Sequence, residues 1–244
     1  MLNLTEYHFS LNSDCTIFPL GDSSATLDLG NIVNEELNQI VIAIKDRLRQ
    51  NPFEGLRDII VAYSSVSVVY DAFLIKEKYQ LNEPVFEFVR KKLSEAFDAA
   101  SITNPSDEDI ITIPVCYDEV FGNDLKFIAA QKNIPVEKII ELHHSKTYRL
   151  YMIGFLPGFS YMAEVDGQIT IPRKPKPVPV IAGSVGIAGN QTGIYPLNCP
   201  GGWQIIGRTP IKLFEAFADL PVKLKSGDHI KFYPITKEEF ENNY

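Results

Sequence analysis

Apolar positions recur along this chain in two different rhythms, and the change from one to the other divides it. In the first hundred residues, Ala25, Leu27 and Leu29 alternate with polar neighbours, which predicts a strand after the turn-forming Gly21-Asp22-Ser23 and a shorter strand at Cys15 to Leu20. Leu37, Ile40, Val41, Ile44 and Leu48 then recur at helical spacing, with Asn34 placed to cap the helix and Asn51-Pro52 to stop it. Asp58 to Tyr63 and Val66 to Tyr70 read as two β-branched strands around Ser64-Ser65. Pro84 opens a second helix, whose Val85, Phe88, Val89, Leu93, Ala96 and Phe97 share one face. Two amphipathic helices and several half-apolar strands predict a small α+β sandwich with both helices on one face of an antiparallel sheet.

The polar stretch Ser101 to Asp109 reads as a linker, which gives domains at 1–104 and 105–244. Ile110 to Tyr117 opens the second part as a strand, and Leu125 to Ala130 and Val136 to Leu142 follow as short helices. Beyond His144 the runs are short and strand-like, at Tyr148 to Ile153, Ile169 to Ile171, Gln204 to Ile206 and His229 to Tyr233, with Pro- and Gly-rich turns between them. That spacing predicts a closed or strongly curved β structure.

Composition narrows the functional classes. The net charge is -8 over 244 residues, which disfavours general binding to nucleic acid or anionic membranes; the compact basic cluster is Arg173, Lys174 and Lys176. Three widely spaced cysteines, Cys15, Cys116 and Cys199, form neither a disulfide framework nor a zinc pattern. No run of apolar residues approaches the roughly 20 needed to span a bilayer, and MLNLTEYHFSLNSDC does not read as a secretion signal. The expected location is therefore the cytoplasm, and no metal site is expected.

Candidate chemistry concentrates between Gly183 and Gly207, where GSVGIAGNQTGIYPLNCPGGWQIIG holds seven of the 15 glycines. Such a stretch can hold backbone close to a bound group, with Asn190, Gln191 and Thr192 around it, or it can mark tight turns of a barrel. Ahead of it, GFLPGFSYM (Gly154 to Met162) presents Phe155, Phe159 and Tyr161, suited either to wall a pocket or to close a barrel end. Arg173 and Arg208 are the nearest groups able to fork onto a carboxylate or phosphate, or to pair with surface acids. His143 and His144 end a predicted helix, where the dipole favours histidine, and the alternative is that one lines the site. Phosphate-loop, dinucleotide, nucleophile-elbow and kinase patterns are all absent from the sequence.

The segments GFLPGFSYM, IPRK, AGSVGIAGNQTGIYP and PGGWQIIGRTP, in this order, closely resemble the family that comprises allophanate hydrolase subunit 1, KipI-type kinase inhibitors and the B-subunits of 5-oxoprolinase. The likeness extends back through IPVCYDEVFGNDL, LRDIIVAYSSVSVVYD and PLGDSSATLDLG, so it covers nearly the whole chain. The resemblance implies a ferredoxin-like N-terminal α+β domain and a cyclophilin-like C-terminal β-barrel. It also implies a subunit of an ATP-dependent 5-oxoprolinase, inactive alone, that opens the lactam of 5-oxoproline to glutamate. The partners it implies are a second barrel subunit and a separate hydrolytic subunit, with ATP, and with Mg where the nucleotide needs it, bound in the assembled complex. Two alternatives within the resemblance are an inhibitor that binds a sensor histidine kinase, and a carboxyltransferase-type subunit of a urea carboxylase or allophanate hydrolase system.

On matching positions the resemblance gives His143, Arg173 and Arg208 catalytic or anion-contact roles. Phe159, Tyr161, Gly189, Gln191, Thr192, Tyr195, Gly201, Gly202 and Trp203 are given to the small-molecule substrate. One departure stands out: PRKPKPVPVIAGS lacks the second arginine usual after the PR pair, and Lys176 supplies charge there without the bidentate geometry.

Overall fold

The computed structural model of the chain describes residues 15–100 and 110–242. The linker expected at Ser101 to Asp109 and most of the N-terminal stretch read for a secretion signal lie outside the described residues. Contacts divide the chain into two compact units, Met1–Pro105 and Ser106–Tyr244.

In the first unit, β1 (Thr16–Pro19), β2 (Ser24–Asp28), β3 (Leu56–Val61) and β4 (Ser65–Tyr70) form an antiparallel sheet in the order β1-β2-β4-β3. Helix α1 (Glu35–Gln50) starts where expected, with the Asn34 side chain accepting from the Leu37 N–H at 2.9 Å. Helix α2 spans Ala72–Tyr79 and α3 spans Val85–Asp98. The predicted stripes of α1 and α3, including Ile44, Leu48, Val89 and Leu93, are buried against Leu27, Val66 and Val68 of the sheet. Burying these faces on one another is what makes two otherwise marginal helices persist.

The succession β2-α1-β3-β4-α3 is that of a ferredoxin-like sandwich, but the edge strand beside β2 is supplied by β1, from before the pattern rather than after it. Helix α2 has no periodicity to announce it, because Ile75 is its one fully buried residue. Its start is carried instead by Asp71, which accepts from the Leu74 N–H at 3.0 Å and pairs with Arg57 at 2.7 Å. Those two interactions hold the Asp71 carboxyl below its ordinary range, the helix-capping bond being the larger influence.

The second unit is a closed barrel. Its strands are β5 (Ile110–Cys116), β6 (Thr147–Ile153), β7 (Ser160–Ala163), β9 (Ser184–Ala188), β10 (Gln191–Ile194), β12 (Gln204–Arg208) and β13 (His229–Ile235), joined in the order β10-β7-β6-β13-β5-β12-β9 and closed by β9 against β10. The pair β5 and β13 is parallel, from Ile110 opposite His229 to Cys116 opposite Ile235; the other ladders are antiparallel. Strands β8 (Val178–Val180) and β11 (Cys199–Gly201) make a separate two-stranded ribbon. Helices α4 (Leu125–Lys132) and α5 (Val136–Ser145) add Leu125, Ile128, Ile139 and Leu142 to the core inside the barrel, and α6 (Lys237–Asn242) follows β13. Ile169 to Ile171, expected as a strand, is instead a 3-10 turn over Gly167–Ile169 followed by a lone bridge between Ile171 and Gly189.

The glycine-dense stretch is mostly strand. Along β9 and β10, Val185, Ile187 and Ile194 enter the core inside the barrel, which leaves Gly186 and Gly193 on the outer face. A Cβ on Gly193 would stand 3.0 Å from the Trp203 ring and 3.3 Å from the Phe159 ring, and one on Gly186 would stand 3.1 Å from Trp203 Cβ. These glycines exist to let aromatic rings lie against the barrel wall, a purpose that glycine content alone does not reveal.

Candidate functional site

His143 lies inside, with no solvent exposure. Its Nδ1 is 2.8 Å from the Tyr117 hydroxyl and its Nε2 is 2.8 Å from Thr192 Oγ1. Thr192 in turn donates to the Gly186 carbonyl at 3.1 Å, which uses its single proton, so Nε2 is the protonated nitrogen and Nδ1 accepts from Tyr117. Tyr148 donates to the His143 carbonyl at 2.8 Å, and Phe232 stacks on the imidazole at 4.8 Å between centroids. Burial, with His144 adding a smaller push, lowers the His143 pKa to about 3, so the ring is neutral at physiological pH. Burial raises both phenols, Tyr117 and Tyr148. Every polar atom of this cluster is satisfied from within, and Thr192, given to substrate by the resemblance, faces the same interior.

The outer face carries a second cluster. Phe159 is its hub, 4.6 Å from Tyr161, 4.9 Å from Tyr195 and 5.3 Å from Trp203 by ring centroids, with Phe155 edge-on at 5.7 Å. Tyr195 is buried against the ribbon, where a Cβ on Gly201 would meet its hydroxyl at 2.7 Å. Arg173 lies across Gly202, its guanidinium 3.1 to 3.6 Å from where a Cβ would stand. It is charge-coupled to both Tyr161 and Tyr195. Burial raises the Tyr161 pKa against the opposing pull of Arg173, and it raises Tyr195 to about 12, so both phenols stay protonated donors at neutral pH. No carboxylate among the described residues pairs with Arg173.

The segment bearing Arg173 is tied down on both sides. The Lys174 N–H donates to the Gly202 carbonyl at 2.7 Å, and Gln204 Nε2 donates to the Pro172 carbonyl at 3.1 Å. The Lys174 ammonium pairs with Asp124 Oδ2, which also accepts from the Ile205 N–H at 2.6 Å. Nothing in the sequence marks Asp124 as part of this site, because its links join positions 50 and 81 residues apart.

The remaining candidates divide. Gln191 begins β10 on the outer face, two residues and about 7 Å from Gly193. Gly189 is the turn between β9 and β10, at φ +61°. Arg208 ends β12, about 13 Å along the strand from Gln204. Its Nε donates to the Ala182 carbonyl at 2.9 Å, and its guanidinium sits over Phe121 and Phe240 at 5.9 and 5.6 Å. Arg173 and Arg208 thus have different immediate partners.

Among the described residues, no group of three or more His, Cys, Asp or Glu is arranged to hold a metal ion, and no helix is long and apolar enough to cross a membrane. The family model described as carboxyltransferase domain, subdomain C and D, matches residues 15–224. A protein from Bacillus subtilis, named as the B-subunit of 5-oxoprolinase, is 39% identical over 91% of this chain and 93% of its own length. Its namesake from Escherichia coli O157:H7 is 45% identical over 51% of this chain, which spans 57% of that protein. The crystal structure of TTHA0988 superposes with a TM-score of 0.73 at 32% identity, over 87% of this chain but 40% of that longer one. A urea carboxylase from Kluyveromyces lactis shares the fold at a TM-score of 0.70 and 18% identity, over 93% of this chain and 22% of its own.

Proposed function

The chain belongs to the carboxyltransferase-domain C and D family, and from that premise we propose that it is a subunit of an ATP-dependent 5-oxoprolinase whose outer aromatic face binds 5-oxoproline. The observation that carries the reading is Arg173, an arginine with no acidic partner among the described residues, laid over a glycine beside two protonated tyrosines. A planar guanidinium in that setting matches a substrate carboxylate with two parallel bonds. Tyr161, half-buried, supplies a neutral donor close by, and the buried Phe159, Tyr195 and Trp203 form the packed wall behind it. Gln191 shares the outer face and supplies an amide for the lactam.

Opening a lactam by water requires an activated carbonyl, which ATP supplies in this reaction class. The residues here fit one anionic group rather than a triphosphate. The Gly183 and Gly189 N–H groups are bonded at 2.7 Å to the Tyr195 and Ile171 carbonyls, and Gly186 and Gly193 lie within strand ladders, so these four glycines do not make a nest of free N–H groups. On this reading the nucleotide, with Mg if it requires one, is held by the assembled complex, and this chain contributes binding and orientation of the substrate. That division makes the chain inactive alone and dependent on a second barrel subunit and a hydrolytic subunit.

The test is glutamate formation from 5-oxoproline and ATP by the purified chain, alone and mixed with its partner subunits. Turnover is expected in the full mixture only. An intact assembled complex with no turnover, or one in which Arg173→Ala leaves the KM for 5-oxoproline unchanged, overturns the assignment.

A further inference from the structure

We infer that Asp124 is the positioning residue for Arg173, acting through Lys174; this rests on the reading of Arg173 as the carboxylate contact. Two cations stand side by side in the sequence, and the structure treats them differently. The Lys174 side chain is 19% exposed and spends its charge on Asp124, whereas Arg173 has no such partner among the described residues. Like charges in adjacent positions splay apart when both are free, and a free Asp124 would draw either one. By holding Lys174, Asp124 leaves the Arg173 guanidinium against Gly202, within electrostatic reach of Tyr161 and Tyr195.

Asp124 also fixes where that surface is. The same oxygen, Oδ2, that takes the ammonium accepts the Ile205 N–H, and the Asp124 N–H donates back to the Ile205 carbonyl at 2.9 Å. One carboxylate therefore joins the start of α4, the segment 172–174 and strand β12. Arg173 is bracketed by anchored neighbours, Pro172 through Gln204 and Lys174 through both Gly202 and Asp124. A rigid bracket lowers the entropy lost when a long side chain is fixed on a ligand. The side chain of Asp124 is 16% exposed, so it faces the bracket rather than the ligand space.

The test uses Asp124→Asn, which keeps an oxygen for Ile205 and loses the charge, and Lys174→Met, which leaves the Ile205 bond untouched. In the full chain, the Nε–Hε resonance of Arg173 is expected to be ordered in the parent and to lose order in both variants. In the assembled enzyme, each variant should raise the KM for 5-oxoproline about tenfold with kcat within about twofold. In an Arg173→Ala background, adding Asp124→Asn should change KM by less than about twofold. A folded Asp124→Asn protein with an equally ordered Arg173 resonance, or with unchanged KM while Arg173→Ala raises it, overturns the inference. An unchanged KM in Arg173→Ala sinks the carboxylate reading instead, and the resonance still reports whether Asp124 holds Arg173.

Discussion

The barrel carries two tyrosine-rich polar clusters, one inside around His143 and one outside around Arg173, and they differ in whether their hydrogen-bonding capacity is used up. Inside, both imidazole nitrogens, the Thr192 hydroxyl and the Tyr148 hydroxyl are bonded to one another or to backbone, all out of solvent. Outside, aromatic rings pack equally closely, yet the guanidinium beside them has no carboxylate among the described residues. Perturbed tyrosine pKa values occur in both places, so perturbation by itself does not locate a site. An unspent charge beside a packed wall does, because a fully satisfied network has nothing left to offer a ligand.

The widest separation between the two clusters is in stability. His143→Ala leaves a cavity against Phe232 and strips Tyr117 and Thr192 of their partner, which should cost about 3 kcal/mol or more. Arg173→Ala should leave the denaturation midpoint nearly unmoved, since the side chain is exposed. Binding should reverse the order, with KM for 5-oxoproline rising about 30-fold in Arg173→Ala, or about 2 kcal/mol. Urea denaturation and steady-state kinetics on the two variants give both halves. A His143 variant that stays as stable as the parent and loses kcat would bring the interior cluster into the chemistry.

How much of this the sequence disclosed follows from the range of each interaction. The α1 and α3 stripes and the alternation in β2 and β4 are local patterns, legible because burial repeats every few residues. Phe159, Tyr161, Trp203 and Arg173 are legible as residue types gathered in a few short segments, and the structure brings these four to one face. The side on which Thr192 and Gln191 lie is not legible, because it depends on the register of β10 with β7 and β9, and adjacent residues take opposite faces. Nor is the fate of His143, whose partners come from β5's end, β10 and β13, or the Asp124 bracket, which spans 81 residues. Arg208 and Arg173 look alike in the sequence by charge alone, and the fold gives them different partners.

Acid titration sharpens the interior side of the comparison. The folded His143 pKa is depressed from 6.5 to about 3. Above pH 6.5 the ring is neutral in both folded and unfolded chains and adds no pH dependence. Between pH 6.5 and about 3 the unfolded chain binds a proton that the folded one refuses, so stability falls by about 1.4 kcal/mol per pH unit from this group. His143→Gln removes that component while the carboxylates remain, so its stability should fall less steeply over this window. Equal slopes for parent and variant in urea titrations would mean that the ring takes up its proton without leaving the fold. Arg173→Ala should reproduce the parent slope, because it leaves His143 and its hydrogen-bond partners in place.

The smallest expected effect concerns Arg208, which is neither inside nor at the outer cluster. Its Nε bond to the Ala182 carbonyl and its seat over Phe121 and Phe240 describe a side chain that ties the end of β12 to the loop before β9 and to α6. Arg208→Met keeps the apolar stem and much of the volume while removing the bond and the cation over the two rings. A partly exposed cation–π contact and one hydrogen bond together amount to about 1 kcal/mol. The denaturation midpoint should drop by a small, measurable amount, and KM for 5-oxoproline should stay within about twofold of the parent. If Arg208→Met instead raised KM as far as Arg173→Ala does, with the midpoint unchanged, the outer cluster would not be the whole site. The guanidinium over Phe121 and Phe240 would then act in the assembled complex as a second anion contact, reached by a ligand extended along β12.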